Sequence, residues 1–163
     1  MVTARSVAAA VPDPELPIVT IADLGILRAV RTVGDRVVVD ITPTYSGCPA
    51  LAEITADLRK GLRHNGFNDV EIRAVLSPAW TSDWITDTGR RKLAAAGIAP
   101  PGPAPKSPNG PVPLTLEPPT TRIACPHCAG TDTEEVSTFG PTACMALHRC
   151  RSCREPFEHM KAI

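Results

Sequence analysis

A chain of 163 residues with seventeen acidic and seventeen basic side chains has room for one ordinary core plus a small appendage, and its balanced charge supplies no long-range positive field for a nucleic acid. No window approaches the roughly 20 uninterrupted apolar residues of a membrane helix, and the alanine-rich opening 1–11, short and running into Pro12, makes a poor signal peptide. The six cysteines are therefore expected in a reducing cytoplasm, where paired Cys-x-x-Cys spacing reads as metal binding before disulfides.

Residues 24–30 and 36–42 are rich in Ile, Leu and Val and flank a Gly34-containing turn, the pattern of a β-hairpin. The second run, with VVVDI, is apolar almost throughout, which implies cover on both faces. A helix is predicted from Pro49, because Leu51, Ile54, Leu58 and Leu62 recur at three- and four-residue steps before an Asn65-Gly66 stop. VEIRAVL at 70–76 alternates as a third strand, and 82–96 reads as a second helix ending at Gly97. The first domain is thus α+β, a small sheet covered by helices, over 1–99. Half of the eighteen prolines fall between Pro100 and Pro119, so 100–121 is expected to be a semi-rigid linker leading to a second domain over 122–163.

That second domain holds ACPHCAG, then twenty-one residues between Cys128 and Cys150, then RCRSCREPF. Two such knuckles predict a four-cysteine ribbon in which Cys125, Cys128, Cys150 and Cys153 hold one metal. So small a segment with few large apolar residues needs the ion to fold. Tetrahedral zinc is the primary reading; four thiolates also suit iron–sulfur, and a pair of disulfides or four free thiols are the remaining alternatives. Cys144 reads either as a small buried apolar residue or as an auxiliary, exchangeable thiol. His127, His148 and His159 read as surface residues beside a full set of thiolates. Five basic against five acidic residues in 122–163 speak against a nucleic-acid ribbon.

In the first domain, DPELP at 13–17, TIADLGIL at 20–27 and ITPTYSGCPAL at 41–51 stand apart from plain scaffolding. The last empties a strand into a small-residue turn that presents Cys48 at the mouth of a helix, where free N–H groups are expected to lower a thiol pKa. Asp13, Glu15 and Asp23 read as turn and cap residues. Trp80 and Trp84, four apart, share one helix face if the helix starts that early, and serve either as core or as anchors for a docking partner.

DPELPIVTIADLGIL followed by YSGCP resembles the MIP18 (DUF59) family, whose members serve iron–sulfur cluster assembly and delivery. With SPAWTSDWITDTGRRKLAAAGIAPP at 77–101 and STFGPTAC in the ribbon, the chain is similar over nearly its full length to the PaaD family. That family accompanies the multicomponent phenylacetyl-CoA epoxidase (ring-1,2-oxygenase) of phenylacetate degradation. The resemblance implies a MIP18-like sheet plus zinc ribbon and a non-catalytic accessory or maturation role. It implies one structural zinc and a transient iron–sulfur cluster, with the flavin/iron–sulfur reductase of the epoxidase and the cluster-assembly machinery as partners. By the same resemblance Cys48 matches the cysteine of the GCP turn, and Asp13, Glu15 and Asp23 the acidic positions around it. Two roles stay open: a carrier that matures the reductase, or a stable non-catalytic subunit of the epoxidase complex. Pairing of two copies as a homodimer, bringing two Cys48 thiols together, is also open.

Overall fold

The run RVVVDI becomes the middle strand of a sheet, and that position accounts for its composition. In the computed structural model, which describes residues 2–45, 47–105 and 122–163, β1 (Leu27–Val33), β2 (Arg36–Ile41) and β3 (Asp69–Ala74) lie in the order β1-β2-β3. β2 pairs antiparallel with β1 and parallel with β3. With a neighbour on each edge, it is buried from Val37 to Ile41, and β-branched side chains suit such a surface.

The hairpin reverses later than the sequence suggests. Leu24 and Gly25 lie in a turn instead of opening a strand, Gly25 with φ +70°, and the N–H groups of Ile26 and Leu27 both donate to the Ile21 carbonyl. The reversal itself occupies only Gly34 and Asp35, with Val33 paired to Arg36 and Gly34 at φ +60°, a conformation that favours glycine.

Between β2 and β3 runs α2 (Ala50–His64), the crossover that a parallel pair requires. Of the helix's predicted stripe, Ile54, Leu58 and Leu62 are buried, contributing about 2 kcal/mol each, whereas Leu51 is only half-buried and Ala50 is buried beside them. It stops at Asn65 and Gly66, where Gly66 takes φ +88° and Phe67 N–H donates to Leu62 O at 3.1 Å, a glycine-terminated end. The alanine-rich opening is itself helical: α1 (Ala4–Ala9) is capped by a reciprocal Thr3–Ser6 box and buries Ala4 and Ala8, packing on α2 and β1. Small side chains let the two helices approach closely, as Gly61, 3.6 Å from Val7 Cγ1 by its would-be Cβ, also shows.

The single helix expected over 82–96 is instead two pieces. Ser82–Trp84 forms a 3-10 turn, Ile85 is extended at ψ 125°, and only then does α3 (Asp87–Ala95) begin, with Thr86 Oγ1 accepting from Gly89 N–H. Thr86, extended at ψ 158°, caps the new helix start, satisfying one of the N–H groups that a first turn leaves free. The break lets the chain close on the 22–25 turn: Thr86 N–H donates to Asp23 O at 2.9 Å. A Cβ on Gly25 would sit 2.6 Å from Trp84 Cβ, and one on Gly89 2.7 Å from Asp23 O, so both contacts demand glycine.

The chain divides into compact units Met1–Ala96 and Gly97–Ile163, a few residues before the expected boundary at 99. The reason is that β4 (Ile98–Ala99) pairs parallel with β7 (Pro156–Met160). The second sheet runs β4-β7-β6-β5, with β5 (Thr133–Ser137) and β6 (Met145–Cys150) completing an antiparallel meander. Its core joins Ala99, Ile123 and Phe157 to Cys125, Cys150 and Cys153. Of the expected linker 100–121, residues 100–105 belong to this unit, and 106–121 lie outside the described residues. Among the described residues no helix is long and apolar enough to cross a membrane.

Candidate functional site

Each knuckle of the ribbon is a tight turn closed the same way. Cys125 N–H donates to Gly130 O at 2.9 Å, and Cys150 N–H to Glu155 O at 3.0 Å. The residue after each second cysteine, Ala129 (φ 60°) and Arg154 (φ 67°), is left-handed. Neither is glycine, so each conformation costs about 1–2 kcal/mol, which ligation has to offset. Gly130 passes between the knuckles, where a Cβ would meet Cys128 Sγ and Ser152 Oγ, both at 3.2 Å.

These turns gather the four sulfurs within 4.8 Å of one another. Cys125 and Cys153 are 3.8 Å apart, Cys128 and Cys150 3.6 Å. Four sulfurs about 2.3 Å from a tetrahedral ion stand about 3.8 Å apart, whereas a disulfide needs about 2.05 Å. The spacing suits ligands about one tetrahedral metal and is too wide for a disulfide, so the disulfide alternative falls away. Cys150 is held down at about 6 by the N–H groups of Cys153 and Ser152, against burial. Cys153 is pushed the other way: the Glu155 N–H lowers it, but burial and the thiols of Cys128, Cys150 and Cys125 carry it up to about 12. Four thiolates cannot coexist there without a cation, which is the electrostatic condition for binding one.

Cys144 is not drawn into this set. It is buried before β6 with its sulfur 3.1 Å from Thr142 Oγ1. His127 is exposed, as expected for a surface residue, but His148 and His159 are buried. They sit on inward-facing positions of β6 and β7, His148 stacking on Phe157 with centroids 5.7 Å apart. The readable sign was parity: His148 keeps step with Cys150, and His159 with Phe157. Burial pushes both imidazoles toward the neutral form, His159 to about 4 with His148 adding to the effect.

In the first unit, Cys48 is half-buried just before α2, whose Leu51 N–H donates to Cys48 O at 3.3 Å. Its pKa is raised, not lowered. Burial is the largest cause, and the charges of Glu15 and Asp13 add to it, against the Ala50 N–H and the Thr44 hydroxyl. The helix-terminus effect is present but outweighed. Asp13 is buried, its Oδ1 accepting from Glu15 N–H at 3.0 Å and Leu16 N–H at 2.8 Å. Burial raises its pKa despite those bonds, and Glu15 is raised by burial and by Asp13. Asp13 and Glu15 therefore act electrostatically on Cys48. Asp23 is engaged elsewhere, its Oδ2 accepting from Thr20 N–H at 3.0 Å and Lys92 Nζ at 2.6 Å. Burial alone would raise its pKa, but Lys92 and Thr20 lower it on balance.

The tryptophans do not share a helix face. Trp80 is buried and its Nε1–H donates to Leu24 O at 2.9 Å, while Trp84 ends the 3-10 turn half-buried, with Arg28 stacked 3.4 Å above its ring. Trp80 thus pins the turn that carries Asp23.

A small α+β domain with a cysteine at a helix mouth, joined to a four-thiol ribbon, defines the class: a two-unit protein whose second unit is a metal ribbon. Residues 5–74 match the family described as iron-sulfur cluster assembly protein, and 109–161 the PaaD zinc beta ribbon domain. The chain is 44% identical over 153 residues, 94% of this chain and 87% of the relative, to a putative 1,2-phenylacetyl-CoA epoxidase subunit of Escherichia coli K12. It belongs to the PaaD family. Among solved structures it is similar to a DUF59 domain from Bacillus anthracis, 30% identical with TM-score 0.52 over 55% of this chain and 87% of that one. It is also similar to a conserved hypothetical protein from Thermotoga maritima, 28% identical with TM-score 0.46 over 56% and 94%.

Proposed function

We propose that the protein is a non-catalytic accessory factor of a phenylacetyl-CoA epoxidase system that assists assembly or delivery of an iron–sulfur cluster, its client being the flavin/iron–sulfur reductase component. The observation that carries this reading is the placing of Cys48. Half-buried in the field of Asp13 and Glu15, it is a protonated thiol at neutral pH, a poor nucleophile. The same carboxylates favour an approaching iron cation. When the sulfur ligates, its proton has to leave. Cys48 offers one thiol where a resident cluster takes four cysteine ligands, which suits a transient holder better than a resident site.

The ribbon supplies a second role. Zinc, when bound by Cys125, Cys128, Cys150 and Cys153, ties the two knuckles together and thereby orders the sheet that follows from them. The likeness to an epoxidase subunit of Escherichia coli also supports a second reading, a stable non-catalytic component of the epoxidase complex.

The test is deletion of the gene followed by assay of the reductase for its cluster, with complementation by wild type and by Cys48→Ser. The carrier reading expects a cluster-deficient reductase that wild type restores and Cys48→Ser does not. A fully loaded reductase in the deletion strain refutes it, and co-purification with the epoxidase at fixed stoichiometry then favours the stable component. Anaerobic analysis for zinc, iron and acid-labile sulfide adds a direct readout: iron and sulfide are expected to vanish in Cys48→Ser while zinc stays.

A further inference from the structure

Strands β5, β6 and β7 bring three further donors onto one face of the ribbon sheet. Glu135 pairs directly with His148, His148 with Phe157, and Ala146 with His159. Paired residues share a face, as do residues two apart on a strand. His148 Nε2 is 3.9 Å from Glu135 Oε2, and the His159 ring lies 5.1 Å from the His148 ring, centroid to centroid, at 89°. Nδ1 and Nε2 of His148 and Nε2 of His159 are buried without a hydrogen-bond partner, and each of these two residues is more than nine-tenths buried. Buried polar atoms are ordinarily satisfied. Three adjacent exceptions, on two residues that line a cavity of about 1010 Å³ together with Arg122, Thr133 and Lys161, call for a ligand.

We propose that Glu135, His148 and His159 form a second metal site, separate from the four thiols, for a labile divalent first-row transition ion such as zinc, cobalt(II) or iron(II). Imidazole nitrogens with free lone pairs and a carboxylate are the donors such ions take. Two donors about 2.1 Å from one ion stand at most about 4.2 Å apart, and the 3.9 Å between His148 and Glu135 falls inside that span. The three do not enclose an ion as the thiols do. Glu135, whose side chain is half exposed, and the His159 ring have to turn onto it, and the cavity gives them space. The site is therefore exchangeable and not structural, and it stands whether or not Cys48 carries a cluster.

The test uses the full chain, reduced and anaerobic, with one equivalent of zinc in the ribbon, titrated with cobalt(II). Wild type is expected to take up one further ion, with ligand-field bands and no thiolate-to-cobalt charge transfer. His148→Phe/His159→Phe is expected to bind none, and Glu135→Gln to bind at least about tenfold more weakly. The phenylalanines keep a ring stacked on Phe157; should that variant lose its sheet, Glu135→Gln, at a half-exposed side chain, decides alone. No uptake beyond the first ion overturns the proposal. So does equal affinity in Glu135→Gln, or a second cobalt that shows thiolate charge transfer.

Discussion

Chelating the ribbon metal under reducing conditions should unfold Gly97–Ile163 while Met1–Ala96 stays folded. The second unit has few large apolar side chains, Ile123 and Phe157 at its knuckle core and Met145 and Met160 buried on β6 and β7. At about 2–3 kcal/mol each, those four supply roughly 10 kcal/mol, far short of the entropy that ordering the unit costs. A structural zinc contributes about 10–16 kcal/mol at neutral pH, as much as the whole stability of an ordinary domain. Removing it also leaves Ala129 and Arg154 strained with nothing to hold them. The first unit has its own core in Ile21, Leu24, Ile41, Ile54, Leu58, Leu62 and Leu93 and no share in the thiols. Amide hydrogen exchange read by mass spectrometry separates the two. After chelation the amides of β6 and β7 should exchange at least about a thousandfold faster, each tenfold being about 1.4 kcal/mol, with those of α2 unchanged. Retained protection in β6 and β7 with the metal gone would show that side-chain packing, not ligation, holds the ribbon.

Other substitutions probe the turn behind Asp23 and the buried imidazoles. Gly25→Ala forces a Cβ to 2.6 Å from Trp84 Cβ at φ +70° and should cost about 3 kcal/mol or more, read as a lowered urea midpoint at unchanged slope; a wild-type midpoint refutes the close approach. Trp80→Phe strands the Leu24 carbonyl and should cost about 1–3 kcal/mol, checked in the same titration. His159, with a folded pKa of about 4 against 6.5, binds its proton less readily folded than unfolded. Its share of stability is whole above about pH 6.5 and is lost as pH falls toward 4, by up to about 3 kcal/mol at 1.36 kcal/mol per unit. The stability difference between wild type and His159→Phe should change across that window and be flat above it; a difference that does not vary with pH refutes the displaced pKa.

What the sequence determined by itself is what short-range chemistry dictates. Two Cys-x-x-Cys turns predict their metal because each pair of ligands is set by a few backbone torsions. The stripe of Ile54, Leu58 and Leu62 predicts α2 because helical periodicity needs no partner to be seen, and the apolar run of β2 announces a strand covered on both sides. Tertiary structure decided the rest, through forces that depend on what lies across the fold. The helix mouth argues for an acidic Cys48, yet burial and the carboxylates of Asp13 and Glu15, more than thirty residues away in sequence, raise its pKa. Asp23 reads like its acidic neighbours until Lys92 on α3 claims it. The break at Ile85 follows from the 22–25 turn needing a surface to close on, and the burial of His148 and His159 from strand pairing that places them on the inner face. Desolvation and long-range pairing leave little local signature, strand parity at the two histidines apart, and so these features waited for the fold.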